Sequence, residues 1–370
     1  MPYVQSDMKG LNRRDVFDLI ADMGTISRVE IARILGTSMP TVLKITNMLL
    51  DKGFVSLSGE EMTARGRRPQ LLQFNPHKIL GIGVDYNGNT VKAAVCDYWG
   101  KELAFSQRPA NDDFDALLNN CLPGMLAHLM EDNNITRDGL FAIGICLPGS
   151  SDTENSVLQL GPLSGVRIGN ATTDTLRGFS QRMGLPVYCF NDVNSAATGE
   201  YVLRKLKKED LVYISAGEGI GAGIILDGEL RIGSRFSAGE LGHFVLDPNF
   251  VTNIQKPGWF ETQLSYEILC QRFPDYKKGE KPAELLEYIA QHLALAIANI
   301  SNLLDLKYII LGGDLVKEFR NELQDKVRYY IRRLCLHEIE VYGASCENSS
   351  LVGATSLALS REVDNALADK

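Results

Sequence analysis

The sequence predicts an α/β chain in two parts, a winged helix-turn-helix head over residues 1–76 and a larger body of mixed sheets and helices. Three features carry this expectation: two short amphipathic helices separated by a glycine turn, a switch near Lys78 from helical periodicity to apolar strand runs, and glycine-rich turns after several of those runs. The length of 370 residues exceeds one ordinary domain, and the 34 Gly and 13 Pro show no low-complexity period, so globular domains are expected throughout.

In the head, Val16, Leu19 and Ile20 form an i, i+3, i+4 stripe that predicts an amphipathic helix from Asn12 to Met23, ended by Gly24. Ser27 and Glu30 have the spacing of a capping box, so a second helix runs to about Leu35. After the turn Gly36-Thr37, Ser38 caps a third helix that tolerates Pro40 in its first turn, where backbone amides have no intrahelical acceptor. Val42, Ile45 and Leu49 face inward, which leaves Ser38, Thr41, Lys44 and Asn47 as candidate groups for reading a DNA groove. Strands at Phe54–Ser58 and Leu71–Phe74 make a wing, and Arg67 and Arg68 at its base suit phosphates or a narrow minor groove. A helical module for dimerisation or protein contact is the alternative reading of this head.

The body opens with a hairpin, Ile79–Asp85 and Val91–Asp97, and further strands are expected at Phe141–Cys146, Val187–Phe190, Leu211–Ser215, Ala222–Leu226 and Tyr308–Leu311. Helices are expected at Phe114–Met130, Leu285–Leu304 and Leu351–Ala368. Asn191 and Asp192 fall at the carboxyl end of a strand, where open α/β sheets bind ligands. Together with Glu240, His243 and Glu261 they supply directional donors and acceptors with little apolar surface, as a polyhydroxylated ligand demands. Each acid taken alone is more often a cap or a solvated charge than a ligand.

Charge separates along the chain. Residues 1–75 hold 10 Lys and Arg against 8 Asp and Glu, whereas residues 76–370 hold 28 against 38, so only the head suits a polyanion. No apolar run approaches the ~20 residues of a membrane span, and residues 1–10 lack the pattern of a signal peptide. The 7 cysteines, odd in number and without a Cys-x-x-Cys pair, read as buried thiols in a reducing cytoplasm.

The segments Leu147-Pro-Gly149, Asn191 to Glu200, Gly219 to Ile225, Ala238 to His243 and Ile310 to Gly313 resemble those of the ROK family of repressors and sugar kinases, over about residues 10–360. The resemblance implies a two-lobed, actin-like sugar-kinase fold, with one lobe at residues 77–191 plus a returning helix at 350–370, and the other at 192–349. It also implies that Asn191, Asp192, Glu240, His243 and Glu261 hold sugar hydroxyls, Asp192 standing where kinases keep their general base.

Departures from the family pattern argue against phosphoryl transfer. The first nucleotide loop of family kinases reads Asp-x-Gly-Gly-Thr-Lys, but here Asn87, Asn89 and Thr90 replace a glycine, the threonine and the lysine. In the second loop Glu218 replaces a threonine, and like charges at ~4 Å repel by ~1 kcal/mol in water and more in a cleft. Where family members carry three zinc-binding cysteines, residues 252–259 carry none, so neither zinc nor another cofactor is expected, and Trp259 and Phe260 are left to hold the loop by packing. The expectation is a sugar-responsive, cytoplasmic DNA-binding regulator, a homodimer or dimer of dimers on operator DNA with no membrane partner. A sugar kinase with an attached head and a constitutive DNA-binding scaffold are its alternatives.

Overall fold

A computed structural model of the chain describes residues 5–58, 62–63, 66–67, 70–110, 113–152, 157–159, 172–217, 219–249 and 258–368. The head comprises α1 (Gln5–Met23), β1 (Thr25–Ser27), α2 (Arg28–Leu35), α3 (Met39–Asp51), β2 (Val55–Ser58), β3 (Met62–Thr63), β4 (Gly66–Arg67) and β5 (Leu71–Phe74). The Ser27–Glu30 capping box is formed in both directions, and Gly36 closes α2 in the left-handed region. The head has three strands beyond the two that its pattern shows: β1 joins the wing sheet, with β5 between β1 and β2, while β3 and β4 pair separately. Only three residues long, β1 is too short to display an alternation.

The body contains β6 (Leu80–Tyr86), β7 (Thr90–Asp97), β8 (Glu102–Pro109), α4 (Phe114–Ala116), α5 (Leu122–Asp132), β9 (Leu140–Leu147), β10 (Ser150–Asp152), β11 (Val157–Gln159), α6 (Thr172–Met183) and β12 (Val187–Asn191). Then follow α7 (Asp192–Leu203), β13 (Leu211–Ala216), β14 (Ile220–Leu226), β15 (Glu229–Leu230), α8 (Glu261–Leu264), α9 (Tyr266–Arg272), α10 (Ala283–Leu304), β16 (Tyr308–Gly312), α11 (Asp314–Leu334), β17 (Glu340–Gly343) and α12 (Ser349–Ala368). The single helix expected over Phe114–Met130 is instead broken by a π turn at Leu117–Cys121. Pro123 has no amide to donate back to Asn119, so the hydrogen-bond ladder slips there.

Two five-stranded sheets share one plan. Their strand orders are β12-β9-β6-β7-β8 and β17-β16-β13-β14-β15, each an antiparallel three-strand meander extended by two parallel strands on its first member. Each sheet has its own apolar core, the first built with Phe114, Leu122 and Leu126, the second with Ile289, Leu293 and Leu323. Phe260 is fully buried in the second core and Trp259 packs against it. Among the cysteines, Cys96, Cys146 and Cys189 are buried, but Cys346 is exposed in the loop after β17, contrary to the expectation that all are interior. Among the described residues no helix is long and apolar enough to cross a membrane.

The helix α12 ties these parts together. Its first half lies so close to the first sheet that a Cβ on Gly83 would stand 2.3 Å from the Leu351 carbonyl oxygen, and one on Gly144 2.0 Å from that of Ala354. Its second half supplies Leu359, Val363 and Leu367 to the core of the head, beside Phe17, Phe54 and Phe74. The head therefore does not close its own core. It shares one with α12 and with Tyr98 and Phe141 of the body, through ring contacts of 5.5 Å (Phe17–Tyr98) and 5.6 Å (Phe54–Phe141).

Candidate functional site

The cleft of 730 Å³ between the two sheet units is lined by Asp85, Asn87, Lys92, Asp192, Gly313 and Lys317 among others. Asp192 opens α7 directly after β12, and its carboxylate accepts from its neighbour's backbone, Val193 N–H, at 2.9 Å. Burial together with the nearby Asp85 carboxylate pushes its pKa up to about 7. Asp85 is held by a 2.7 Å hydrogen bond from Ser350 Oγ, and burial raises it as well. Asp85 is the functional residue that sequence reasoning did not single out as a site member. Its place at the end of β6, heading the first glycine-containing turn, was the available signal.

Asn191 is not a free ligand group. Its Nδ2 donates to Gly149 O at 2.7 Å and to Asp192 Oδ1 at 3.1 Å, while its Oδ1 caps α7 by accepting from Asn194 N–H at 2.8 Å. Both amide hydrogens are used, so this side chain orients Asp192 and retains a single lone pair for anything else. That division of labour follows from adjacency: an asparagine at the strand end is the natural cap of the helix that starts one residue later.

Glu240, His243 and Glu261 gather on the wall of the second sheet. Gly239, at φ +88°, sits where a Cβ would be 1.7 Å from Ala222 O, a turn that only glycine fills and that delivers Glu240. Glu240 and His243 are exposed at the two ends of a short helical turn. Glu261 accepts from the backbone of Ile220 and Gly258, lies within electrostatic reach of His243 and Glu240, and has its pKa raised chiefly by burial. The start of β14 bridges the two groups, since Ile220 holds Glu261 while the position of Gly221 packs on Val193, next to Asp192. The segment Gly161–Gly165, which would shape the remaining wall, and Glu218 lie outside the described residues.

The first turn of the cleft is closed on itself. Asn87 Oδ1 accepts from Asn89 N–H at 3.1 Å and from Thr90 N–H at 2.9 Å, occupying the backbone donors that a glycine-rich loop would offer to phosphate.

On the head, Ser38 just before α3 and Lys44 and Asn47 along it are exposed, and Thr41 is half-buried. Ser38 caps the helix and its hydroxyl shares a 2.8 Å hydrogen bond with that of Thr41. Arg28, which the sequence reading passed over, reaches from α2 to Thr46 Oγ1 at 2.8 Å and Asn47 Oδ1 at 3.3 Å, so the Asn47 carboxamide is oriented before any partner arrives. Only its charge distinguished Arg28 in the sequence. The backbone of Arg67 lies in β4, paired with Met62, whereas Arg68 lies outside the described residues.

A family model described as the ROK family matches residues 81–361. The chain is 26% identical to a xylose repressor from Caldicellulosiruptor bescii, over 90% of this chain and 92% of that one. It is 24% identical to the DNA-binding transcriptional dual regulator NagC of Escherichia coli strain K12, over 84% of this chain and 82% of the other. The crystal structure of a ROK family transcriptional regulator, described as a homolog of the E. coli MLC protein, superposes with a TM-score of 0.79 at 22% identity, covering 98% of each chain.

Proposed function

The chain belongs to the ROK family, and from that premise we propose that it is a DNA-binding transcriptional repressor whose body senses an unphosphorylated sugar. The observation that carries this reading over a kinase is the Asn87 cap. The cleft keeps the carboxylate that would accept a sugar hydroxyl, Asp192, while the loop amides that would hold a nucleotide's phosphates are already bonded. Asp192, Glu240, His243 and Glu261 are the sugar contacts, with Asn191 and Asp85 setting the position and charge of Asp192. Residues 252–259 contain no cysteine, so on this reading no zinc is expected there. The reading also entails a cytoplasmic homodimer or dimer of dimers that presents paired heads to a pseudo-palindrome.

Sugar binding changes operator affinity only as far as the sugar prefers one lobe arrangement over the other, typically ~1–3 kcal/mol. A thermal-shift panel headed by xylose, for which one relative is named, and N-acetylglucosamine, for which a 24% identical repressor of Escherichia coli O157:H7 is named, should therefore yield at least one stabilising sugar, and that sugar should weaken operator binding by roughly 5- to 150-fold in a mobility-shift titration. If no stabilising sugar alters operator binding, the repressor reading fails. Sugar-dependent ADP release lost in Asp192→Asn would instead establish the kinase.

The exposed Lys44 gives a second test. Lys44→Ala should weaken operator and random DNA alike and lower the slope of log affinity against log salt by about 1, as loss of one phosphate contact does. An unchanged slope would take Lys44 out of the interface.

A further inference from the structure

The head is anchored to the first lobe. They share a continuous core through α12, and Arg14 adds hydrogen bonds to Ser360 Oγ at 3.2 Å and Asp364 Oδ1 at 2.7 Å. A swing of the head on the first lobe would expose Leu359, Val363 and Leu367, so this joint is a poor place for a sugar signal to act.

The head faces the second lobe differently. A cleft of 880 Å³ separates α1 from the α7–β13 connection, its walls including Asp22, Met23, Trp99, Leu206 and Leu230. An ion pair spans it, Lys207 Nζ to Asp22 Oδ1 at 3.0 Å. Lys207 stands on a braced loop: Lys205 and Lys208 on either side hold left-handed backbone at φ 55° and 53°, unusual for lysine, and Asp227 N–H bonds Asp210 Oδ1 nearby at 2.6 Å. The Tyr201 hydroxyl of α7 also accepts from the backbone of Glu209 and Lys208.

The same helix that ends at this loop crosses α12 at small residues. A Cβ on Gly199 would lie 1.8 Å from Ser349 O, and one on Gly353 1.7 Å from Ser195 O. Backbone-on-backbone contact at these two glycines leaves fewer side-chain ridges to unlock when the helices rotate about their crossing. From Gly353 to Asp364 the helix rises about 16 Å, so a lobe rotation of about 10° would displace the far end by about 3 Å, enough to break an ion pair.

We propose that Asp22 and Lys207 are positioning residues whose contact couples movement of the second lobe, about the α7–α12 crossing, to the arrangement in which the head and first lobe are presented to DNA. The inference rests on the repressor reading above and names its regulation. Sugar closure of the lobes moves Lys207 against Asp22, and the energy of that contact enters the operator-binding equilibrium.

Asp22→Cys and Lys207→Cys, combined with Cys346→Ser to remove the exposed native thiol, can be bridged by a short bismaleimide and compared with the same protein left unbridged. Bridging should leave the sugar-induced thermal shift in place while cutting the sugar effect on operator binding to less than about twofold. An operator response equal to that of the unbridged protein overturns the proposal. A lack of response in the unbridged protein, with a sugar that binds, removes the repressor reading and this inference with it, so the two failures are distinguishable. In the otherwise native chain, Lys207→Glu should shift the sugar midpoint for operator release by about two- to fivefold, the scale of an exposed ion pair, and adding Asp22→Lys should restore it. No shift in the single variant, or no restoration in the double, counts against the contact.

Discussion

Gly353→Ala should cost the protein about 3 kcal/mol or more, read as a large drop in the urea midpoint. The added methyl would stand 1.7 Å from Ser195 O, and the next nearest atoms are the Ser195 carbonyl carbon and the Gly199 nitrogen, so the obstruction is backbone and no rotamer change relieves it. The two helices would have to separate, and α12 cannot retreat because Leu351 and Ala354 are buried against the first sheet while Leu359 and Val363 are buried under the head. Gly178→Ala in α6 is the internal control. Nothing lies within 4 Å of its Cβ position, so alanine should be neutral or stabilise by up to about 1 kcal/mol through helix propensity. Equal effects of the two substitutions would show that the crossing tolerates a methyl and would remove the basis for a tight pivot.

That contrast also marks where sequence reading stops. The Ser27–Glu30 capping box and the Gly36 stop are local: every atom involved lies within a few residues, so spacing suffices to find them. The core strands were legible because each is a buried apolar run, Leu140–Leu147 being the clearest. In contrast, β8 escaped notice because Glu102, Gln107 and Arg108 interrupt its apolar residues and its burial pattern is broken, as expected of an edge strand. Gly83, Gly144 and Gly353 look alike in the sequence, yet each is required by a backbone segment far along the chain. At the site, the sequence offered both Asn191 and Asp192 as sugar ligands, and only the position of Gly149 O and Asn194 N–H separates a cap from an acceptor. The pairing of Asp85 with Asp192 has the same origin: residues more than a hundred positions apart become neighbours because β6 and β12 both flank β9. The residue types of a polar site are legible, whereas their division into ligand, cap and charge partner depends on strand order.

The titration of Asp192 then follows from that pairing. Its folded-state pKa is raised from 3.8 to about 7, so between those values the folded chain holds a proton that the unfolded chain releases. The resulting stabilisation is fully present below pH ~4 and is lost as pH rises through 7. Asp192→Asn removes the ionisable group, so the variant should be more stable than its parent at pH 8, by roughly 1–2 kcal/mol once water in the open cleft is allowed for, and the advantage should shrink as pH falls and vanish only below pH ~4. Sugar binding should respond in the opposite sense. A hydroxyl that donates to the carboxylate favours its ionised form, so affinity should rise from pH 6 to pH 8 and binding should release protons, detectable by calorimetry in buffers of different ionisation enthalpy. In Asp192→Asn a hydrogen bond to a charged group is exchanged for one to a neutral group, so sugar affinity should fall by about 10- to 100-fold and its pH dependence over this range should disappear. A variant that gains stability at pH 8 but binds sugar as the parent does would leave Asp192 as a strained relic of the cleft and move the sugar to the Glu240, His243 and Glu261 wall alone.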